Sequence, residues 1–201
     1  QKLLSYFQIK KPMISYYQHN LRERGEEILA RIESGENCAI VTDAGMPCIS
    51  DPGEDLVSLC AERNIRTIVI PGPSAVISAL AVSGLSTARF CFEGFLSTNH
   101  KNRMEHLRQI AGDRRTLIFY EAPHKLVYTL QDMLQVLGDR RIALCRELTK
   151  LHEEIIRTTF SSALALYREK SPRGEYVLII EGAPEPEKTS LTLEDAAAQV
   201  K

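Results

Sequence analysis

With 201 residues, the chain has room for one large or two small domains and for a core of ordinary size. A hydrophobic fraction of 44% and a charged fraction of 25% are ordinary for a soluble globular protein, and a net charge of −1 gives no bulk electrostatic case for nucleic acid, so any basic surface is local. No apolar run approaches the roughly 20 residues of a membrane span, no secretory signal is visible, and the chain opens on Gln1 rather than Met.

Residues 1–12, with Leu3, Leu4, Phe7 and Ile9, read as the tail of an earlier element, and Met13–Tyr17 as a short strand. Asn20 is placed to cap a helix reaching Ser34, whose apolar face is Leu21, Ile28, Leu29 and Ile32 and whose stop is Gly35. A strand over Cys38–Thr42 runs into a loop with two Gly, two Pro and two Asp, from Asp43 to Gly53, and a helix over Glu54–Arg63 follows. Arg66–Ile70 repeats the pattern: a short strand, then the loop Pro71-Gly72-Pro73-Ser74-Ala75, then an apolar helix ending near Gly84. Strand and helix alternating over short links predict a parallel sheet covered by helices. In such sheets ligands sit outside the carboxyl ends of the strands, so two small-residue loops in succession predict a small-molecule site.

Leu85-Ser86-Thr87-Ala88 is the expected boundary, giving an N-terminal α/β domain over 1–87 and a second α/β domain over 88–183. In the second, strands are predicted at 90–95, 116–122, 141–148, 154–160 and 176–181, with helices near 103–111, from Pro123 to Leu137, and over 161–170. The close succession of the later strands predicts a mixed sheet. Residues 184–201 read as a linker and the start of a further helix at Thr192. The five cysteines, Cys38, Cys48, Cys60, Cys91 and Cys145, form no CxxC pair; they read as reduced, buried thiols of a cytosolic protein rather than zinc ligands.

Several polar groups invite a chemical role, each beside a plainer one. Asp43, at the end of a buried-type strand, recognises a hydroxyl or a cation, or else closes an Asx turn. Asp51 with Pro52 reads as a helix cap, and Ser74 likewise. Glu121 and His124 have the chemistry of acid–base residues, or supply an acidic helix start. The run Arg146–Glu154 packs ionisable groups densely, as a solvated strand edge also does. His100, Lys101, Arg103, His106, Arg108, Arg114 and Arg115, with Arg140 and Arg141, form a basic patch suited to phosphates, or an ordinary helix surface. The loop at 71–75 lacks both the GxGxxG and the P-loop patterns and is not built for a pyrophosphate.

The wording of these segments carries further. Thr42-Asp43-Ala44-Gly45-Met46-Pro47 with Ser50-Asp51-Pro52-Gly53 resembles the signature of the ribosomal RNA small subunit methyltransferase I family. So, in order, do Pro71–Ala75, Arg89-Phe90 with Glu93–Leu96, Phe119–His124, Arg146–Lys150 and Gly174–Leu178, over roughly residues 1–183. The family lies in the tetrapyrrole methylase superfamily, whose members have two α/β domains with S-adenosylmethionine in the cleft between them and are usually homodimers. The resemblance implies transfer of a methyl group to the ribose 2′-hydroxyl of a cytidine in the decoding region of 16S rRNA, in the 30S subunit.

Carried over by motif, the resemblance places Asp43, Ala44, Gly45, Met46, Ser74 and Ala75 on the cofactor from the first domain. Tyr120, Glu121, Leu148, Gly174 and Glu175 close on it from the second. Glu121, Glu147 and Lys150 are the candidate catalytic residues, as a base or as a support for the developing oxyanion, beside a mechanism in which positioning suffices. Lys101, Arg103, Arg108, Arg114 and Arg115 are the candidate RNA-binding residues. The family's opening strand with its Gly-Thr-Pro-Ile-Gly-Asn-Leu loop is not in this chain, and its C-terminal helical region is barely begun, which implies a chain trimmed at both ends. Two other readings remain: a methylase of the same superfamily acting on a tetrapyrrole or protein substrate, and a non-catalytic RNA- or ribosome-binding fragment.

Overall fold

The computed structural model describes residues 2–17 and 21–185, and the chain divides into two compact units, Gln1–Ser74 and Ala75–Lys201. The expected cap at Asn20, most of the linker and the helix from Thr192 lie outside the described residues. No helix among the described residues is long and apolar enough to cross a membrane.

The first unit contains α1 (Lys2–Tyr6), α2 (Leu21–Glu33) and α3 (Glu54–Glu62). Helix α2 buries Ile28 and Leu29 against Leu56 and Cys60 of α3, with Ile14, Tyr16 and Ile32 packed around them. Arg63 ties the solvent side of the pair, bonding Glu26 at 2.6 Å and Glu33 at 3.2 Å. Gly35, at φ 98°, ends the α2 segment as its position predicts. The strands expected at 13–17, 38–42 and 66–70 do not form, and so neither does the parallel sheet expected in this unit. A strand exists only through hydrogen bonds to a neighbour, and no described residue of this unit joins a ladder. Val41, Ile68, Val69 and Ile70 are correspondingly exposed.

The second unit is a five-stranded mixed sheet, order β1-β2-β5-β3-β4, from β1 (Phe90–Phe95), β2 (Thr116–Glu121), β3 (Arg141–Arg146), β4 (Glu154–Thr159) and β5 (Tyr176–Ile180). Only β1 and β2 run parallel; the other pairs are antiparallel. Central strand β5 reads Tyr-Val-Leu-Ile-Ile and is buried throughout, as a strand covered on both faces must be. The pleat sends Leu178 and Ile180 to one face and Val177 and Ile179 to the other. The first face packs on α5 (His100–Ile110), α6 (Leu126–Leu137) and α7 (Phe160–Glu169), through Leu107, Leu130 and Phe160. The second packs on α4 (Ala75–Val82), through Val76, Ala79 and Leu80. That contact explains why the division falls at 74/75 and not at the expected 87/88: α4 belongs to the second unit's core.

Side-chain caps fix the helix starts where the sequence supplies them. Asn99 accepts from the Asn102 N–H, and Thr159 from the Ser162 N–H. Of the cysteines, Cys60 and Cys145 are buried and Cys48 and Cys91 partly so; Cys38 is exposed, contrary to expectation, because its segment lacks the sheet that would cover it.

Candidate functional site

In the first unit the two small-residue loops lie side by side. A Cβ added to Gly45 would stand 3.6 Å from the Pro73 carbonyl oxygen, and one added to Gly72 would stand 3.3 Å from the Met46 sulfur. The longer loop is pinned across its mouth by Thr42 Oγ1 donating to Asp51 Oδ2 at 3.2 Å. That bond removes Asp51 from its expected role as a helix cap: the residue before α3 is Gly53, at φ 134°, with no side-chain cap. Only glycine fits there, since a Cβ would meet Cys48 Sγ at 2.7 Å. Cys48 and Ser50, at φ 71° and 56°, are left-handed without being glycine, so the loop holds strain that the fold pays for elsewhere.

Asp43, Ala44 and Gly45 are exposed on this loop, and Met46 and Ser74 are half-buried. The Asp43 carboxylate makes no hydrogen bond among the described residues, which leaves the Asx turn without support. Asp43, Ala44, Gly45, Met46 and Ser74 therefore share one surface of the first unit. Ala75 opens α4 in the second unit.

In the second unit the ladder register gathers the remaining cofactor candidates. Glu121 at the end of β2 and Arg146 at the end of β3 both pair with Tyr176 at the start of β5. Tyr120, Glu121, Glu147, Leu148, Gly174 and Glu175 thus collect at one end of the sheet. Phe95 pairs with Tyr120 at the same end, and the Tyr120 ring packs on Phe92 and Phe95 at centroid distances of 5.0 and 5.4 Å.

Here the turn after β3 is built tightly. Glu147 and Thr149 are left-handed, at φ 49° and 64°. Two opposed hydrogen bonds lock the turn to the segment before β5: the Glu147 N–H donates to the Glu175 carbonyl at 3.0 Å, and the Glu175 N–H to Glu147 Oε1 at 2.8 Å. Gly174, at φ 73°, lets the carboxylate through, since a Cβ there would meet Glu147 Cγ at 2.5 Å. Lys150 Nζ bridges Glu147 Oε1 at 3.1 Å and Glu175 Oε2 at 3.0 Å. The bond from the Glu175 N–H and the ammonium of Lys150 hold the Glu147 carboxyl below the usual carboxylate range. Glu175 and Glu147 in turn raise the Lys150 pKa, so the ammonium stays charged at neutral pH.

Glu121 sits elsewhere in chemical terms. Only 2% exposed, it accepts from the Ala122 N–H at 2.8 Å and Thr129 Oγ1 at 2.7 Å, and pairs with Lys125 Nζ at 2.8 Å. Both oxygens are engaged inside the core, which holds Glu121 as an anchor between the end of β2 and α6. Lys125, which holds it, was not singled out from the sequence; its i, i+4 spacing from Glu121 was the available signal.

The basic patch does not survive as one surface. Arg103 is 4% exposed, bonded to Asp132 at 2.7 Å and to the Ser97 carbonyl at 2.9 Å, with Tyr128 stacked beneath it. It is a core residue that fastens the loop after β1. Lys101 lies exposed at the start of α5, the end of the sheet where Tyr120 and Glu147 lie. Arg114 and Arg115 precede β2 at the opposite end, paired with Glu185 and Asp113 respectively. Arg108 is exposed in the last turn of α5, towards that opposite end. His106 bonds Glu93 at 2.9 Å.

The family model described as Tetrapyrrole (Corrin/Porphyrin) Methylases matches residues 2–164, and the mixed α/β sheet agrees with it. Two solved structures share the fold. Diphthine synthase superposes with a TM-score of 0.63 at 12% identity, over 90% of this chain and 72% of that one. A uroporphyrin-III C-methyl transferase from Thermus thermophilus, complexed with S-adenyl homocysteine, gives 0.51 at 16%, over 79% and 72%. Within this class the chain belongs to the ribosomal RNA small subunit methyltransferase I family. The protein of that name from Synechocystis sp. is 47% identical over the whole chain, which spans 72% of the relative. Its counterpart from Thermotoga maritima is 43% identical over 90% of the chain and 81% of the relative.

Proposed function

We propose that this chain is the core of an S-adenosylmethionine-dependent methyltransferase that modifies the ribose 2′-hydroxyl of a cytidine in the decoding region of 16S rRNA, within the 30S subunit, and that it works as a homodimer in the cytoplasm. The observation that carries this reading is the gathering of the family's motif segments: two contiguous loops in the first unit, and three strand-end segments in the second, none adjacent in sequence. Membership of a family whose relatives are named for rRNA methylation supplies the substrate.

The residues present fit the cofactor. An unpartnered exposed carboxylate, Asp43, suits the hydroxyls or ammonium of S-adenosylmethionine, and the glycine-rich loops beside it leave backbone groups open to approach. Ala44, Gly45, Met46 and Ser74 complete that surface; Ala75, Tyr120, Leu148, Gly174 and Glu175 are the second unit's contribution. When bound, the cofactor supplies an electrophilic methyl group on a sulfonium.

This chain's own residues then position and stabilise. Glu147 ties its strained turn to Glu175 and holds the Lys150 ammonium. Lys150, kept protonated by its two carboxylates, stabilises negative charge developing on the 2′-oxygen and does not take its proton. With Glu121 sealed in the core and Glu147 Oε1 taken by the Glu175 N–H and Lys150, orientation supplies the rate and the proton passes to water.

Calorimetric titration with S-adenosylmethionine, paired with methyl transfer to 30S subunits, tests this. Asp43→Ala is expected to weaken cofactor binding at least about tenfold while the unfolding free energy in urea stays within about 0.5 kcal/mol of the parent, because the side chain is exposed. Unchanged affinity would remove Asp43 from the site, and transfer to a tetrapyrrole but never to 30S subunits would remove the RNA assignment. Sedimentation giving a monomer at working concentration would remove the dimer.

A further inference from the structure

The end of the sheet remote from Tyr120 and Glu147 carries a groove of about 480 Å³, lined by Arg114, Thr116, Asp139, Arg140, Arg141 and Glu181 and by the chain leaving β5. Thr116 and Arg141 are the first residues of β2 and β3, so six-residue strands separate this groove from the cofactor end by roughly 17–20 Å.

Arg140 is its unusual member. It is 9% exposed, and its contacts are carbonyl oxygens: Nε donates to Leu137 at 3.0 Å, and the terminal nitrogens to Glu181 and Ala111. A guanidinium carries five N–H donors, so two remain, and no carboxylate is paired with it among the described residues. The nearby anions are committed. Glu181 pairs with Arg141 at 2.8 Å, and Asp139 accepts from the Ser161 N–H and hydroxyl at the start of α7. A buried cation lacking a counter-ion is costly unless an anion joins it. Beside it, Arg114 reaches out to the Glu185 carboxylate, which belongs to the segment after β5. Gly182 lets that segment lie flush on the groove's wall: a Cβ there would meet the Arg114 backbone at 2.2 Å, and the Ala183 N–H bonds the Asp113 carbonyl at 2.7 Å.

We propose that this groove is a second RNA contact, in which Arg140 and Arg114 take a backbone phosphate of the rRNA substrate, Arg141 stands at its rim, and the Glu185 carboxylate is the internal stand-in that the phosphate displaces. The inference rests on the reading of rRNA as substrate. An extended polyanion is the fitting occupant because it alone spans both this groove and the reacting end; a free anion here gains nothing from the methyl-transfer site. Lys101 marks the near end of the path and the arginine groove the far end.

The test measures binding of a fluorescent RNA oligonucleotide from the decoding region, and of 30S subunits, across a salt series, with S-adenosylmethionine titration in parallel. Arg114→Gln combined with Arg141→Gln, both at exposed positions, is expected to weaken RNA binding about tenfold at 0.1 M salt and to lower the salt slope by about 1 to 2. Glu185→Gln is expected to tighten RNA binding about two- to fivefold by removing the competitor. Arg140→Lys keeps the charge but loses the fork, and is expected to weaken RNA binding with cofactor affinity unchanged. Should Arg140→Lys fail to fold, the double variant decides. Unaltered affinity and salt slope in the double variant overturn the proposal, and so does an equal loss of cofactor binding, which would mark a folding defect. A parent protein that binds S-adenosylmethionine but no RNA would instead overturn the substrate reading, and the groove with it.

Discussion

Gly174→Ala isolates the contact that shapes the second unit's candidate site. Two costs arise. Placing alanine at φ 73° costs about 1–2 kcal/mol, the penalty of a left-handed backbone for a residue with a Cβ. The new methyl also lands 2.5–2.9 Å from Glu147 Cγ, Cδ and Oε1, so the carboxylate must leave. Its bond to the Glu175 N–H goes with it, worth about 1 kcal/mol once the solvent access of Glu147 and Lys150 is discounted. Together the loss is about 2–3 kcal/mol, read from urea unfolding by linear extrapolation. In a Glu147→Ala background the clash is gone and only the backbone cost of about 1–2 kcal/mol should remain, a coupling of about 1 kcal/mol. Equal losses in the two backgrounds would show that Glu147 does not thread past Gly174 at all.

Arg103→Ala should cost about 3–5 kcal/mol in urea unfolding because it strands Asp132 in the core, whereas Arg108→Ala on the same helix should stay within about 0.5 kcal/mol; the reverse order would return Arg103 to the surface. Glu121→Gln should destabilise by about 3–5 kcal/mol through the uncompensated Lys125. A lost turnover with an unmoved urea midpoint would instead make Glu121 a base. The Glu147 carboxyl is held down in the folded state, so its contribution is present above its unfolded value and lost as pH falls through the folded one. Stability should therefore decline below about pH 4, and Glu147→Gln should flatten that decline in an acid titration followed by circular dichroism. Lys150→Met should slow methyl transfer by about a hundredfold without moving the pH–rate profile; disappearance of an ascending limb would identify Lys150 as the base.

How much of this was legible in the sequence depends on how local the signal is. The five strands and three larger helices of the second unit lie within a few residues of their expected positions, because each apolar run has a partner to bury against. Val41 and Ile68–Ile70 carry the same kind of signal, yet without a paired neighbour the signal yields no strand. Glu147 and Gly174 were placed by motif resemblance, but their interlock spans 27 positions and no local pattern encodes it. The burial of Arg103 is illegible for a related reason. Its neighbours Lys101 and Arg108 share its chemistry and are exposed, while the helix turns Arg103 inward onto Asp132, a residue of α6 that periodicity alone cannot pair with it. Asp43 gained meaning by contrast: with Asp51 taken by Thr42, the loop is closed without it.

Strain is distributed in a way that bears on mechanism. Glu147 and Thr149 in one unit, and Cys48 and Ser50 in the other, are non-glycine residues held left-handed, each costing of order 1 kcal/mol. None of these positions anchors a core cluster, and relaxed turns would join the same elements at less cost. Each strained segment is instead over-determined by its own fastening: Thr42 on Asp51 in the first loop, Glu147 on Glu175 and Lys150 in the second. Such fastening is wasted on a loop that merely connects. It is what a site needs when its contribution is orientation: groups already in place lose little freedom when the reactants arrive. Beside that fastening stands a fixed charge, the Lys150 ammonium held between Glu147 and Glu175. The two facts agree, since a reaction accelerated by alignment asks the protein for fixed geometry and a charge in the right place.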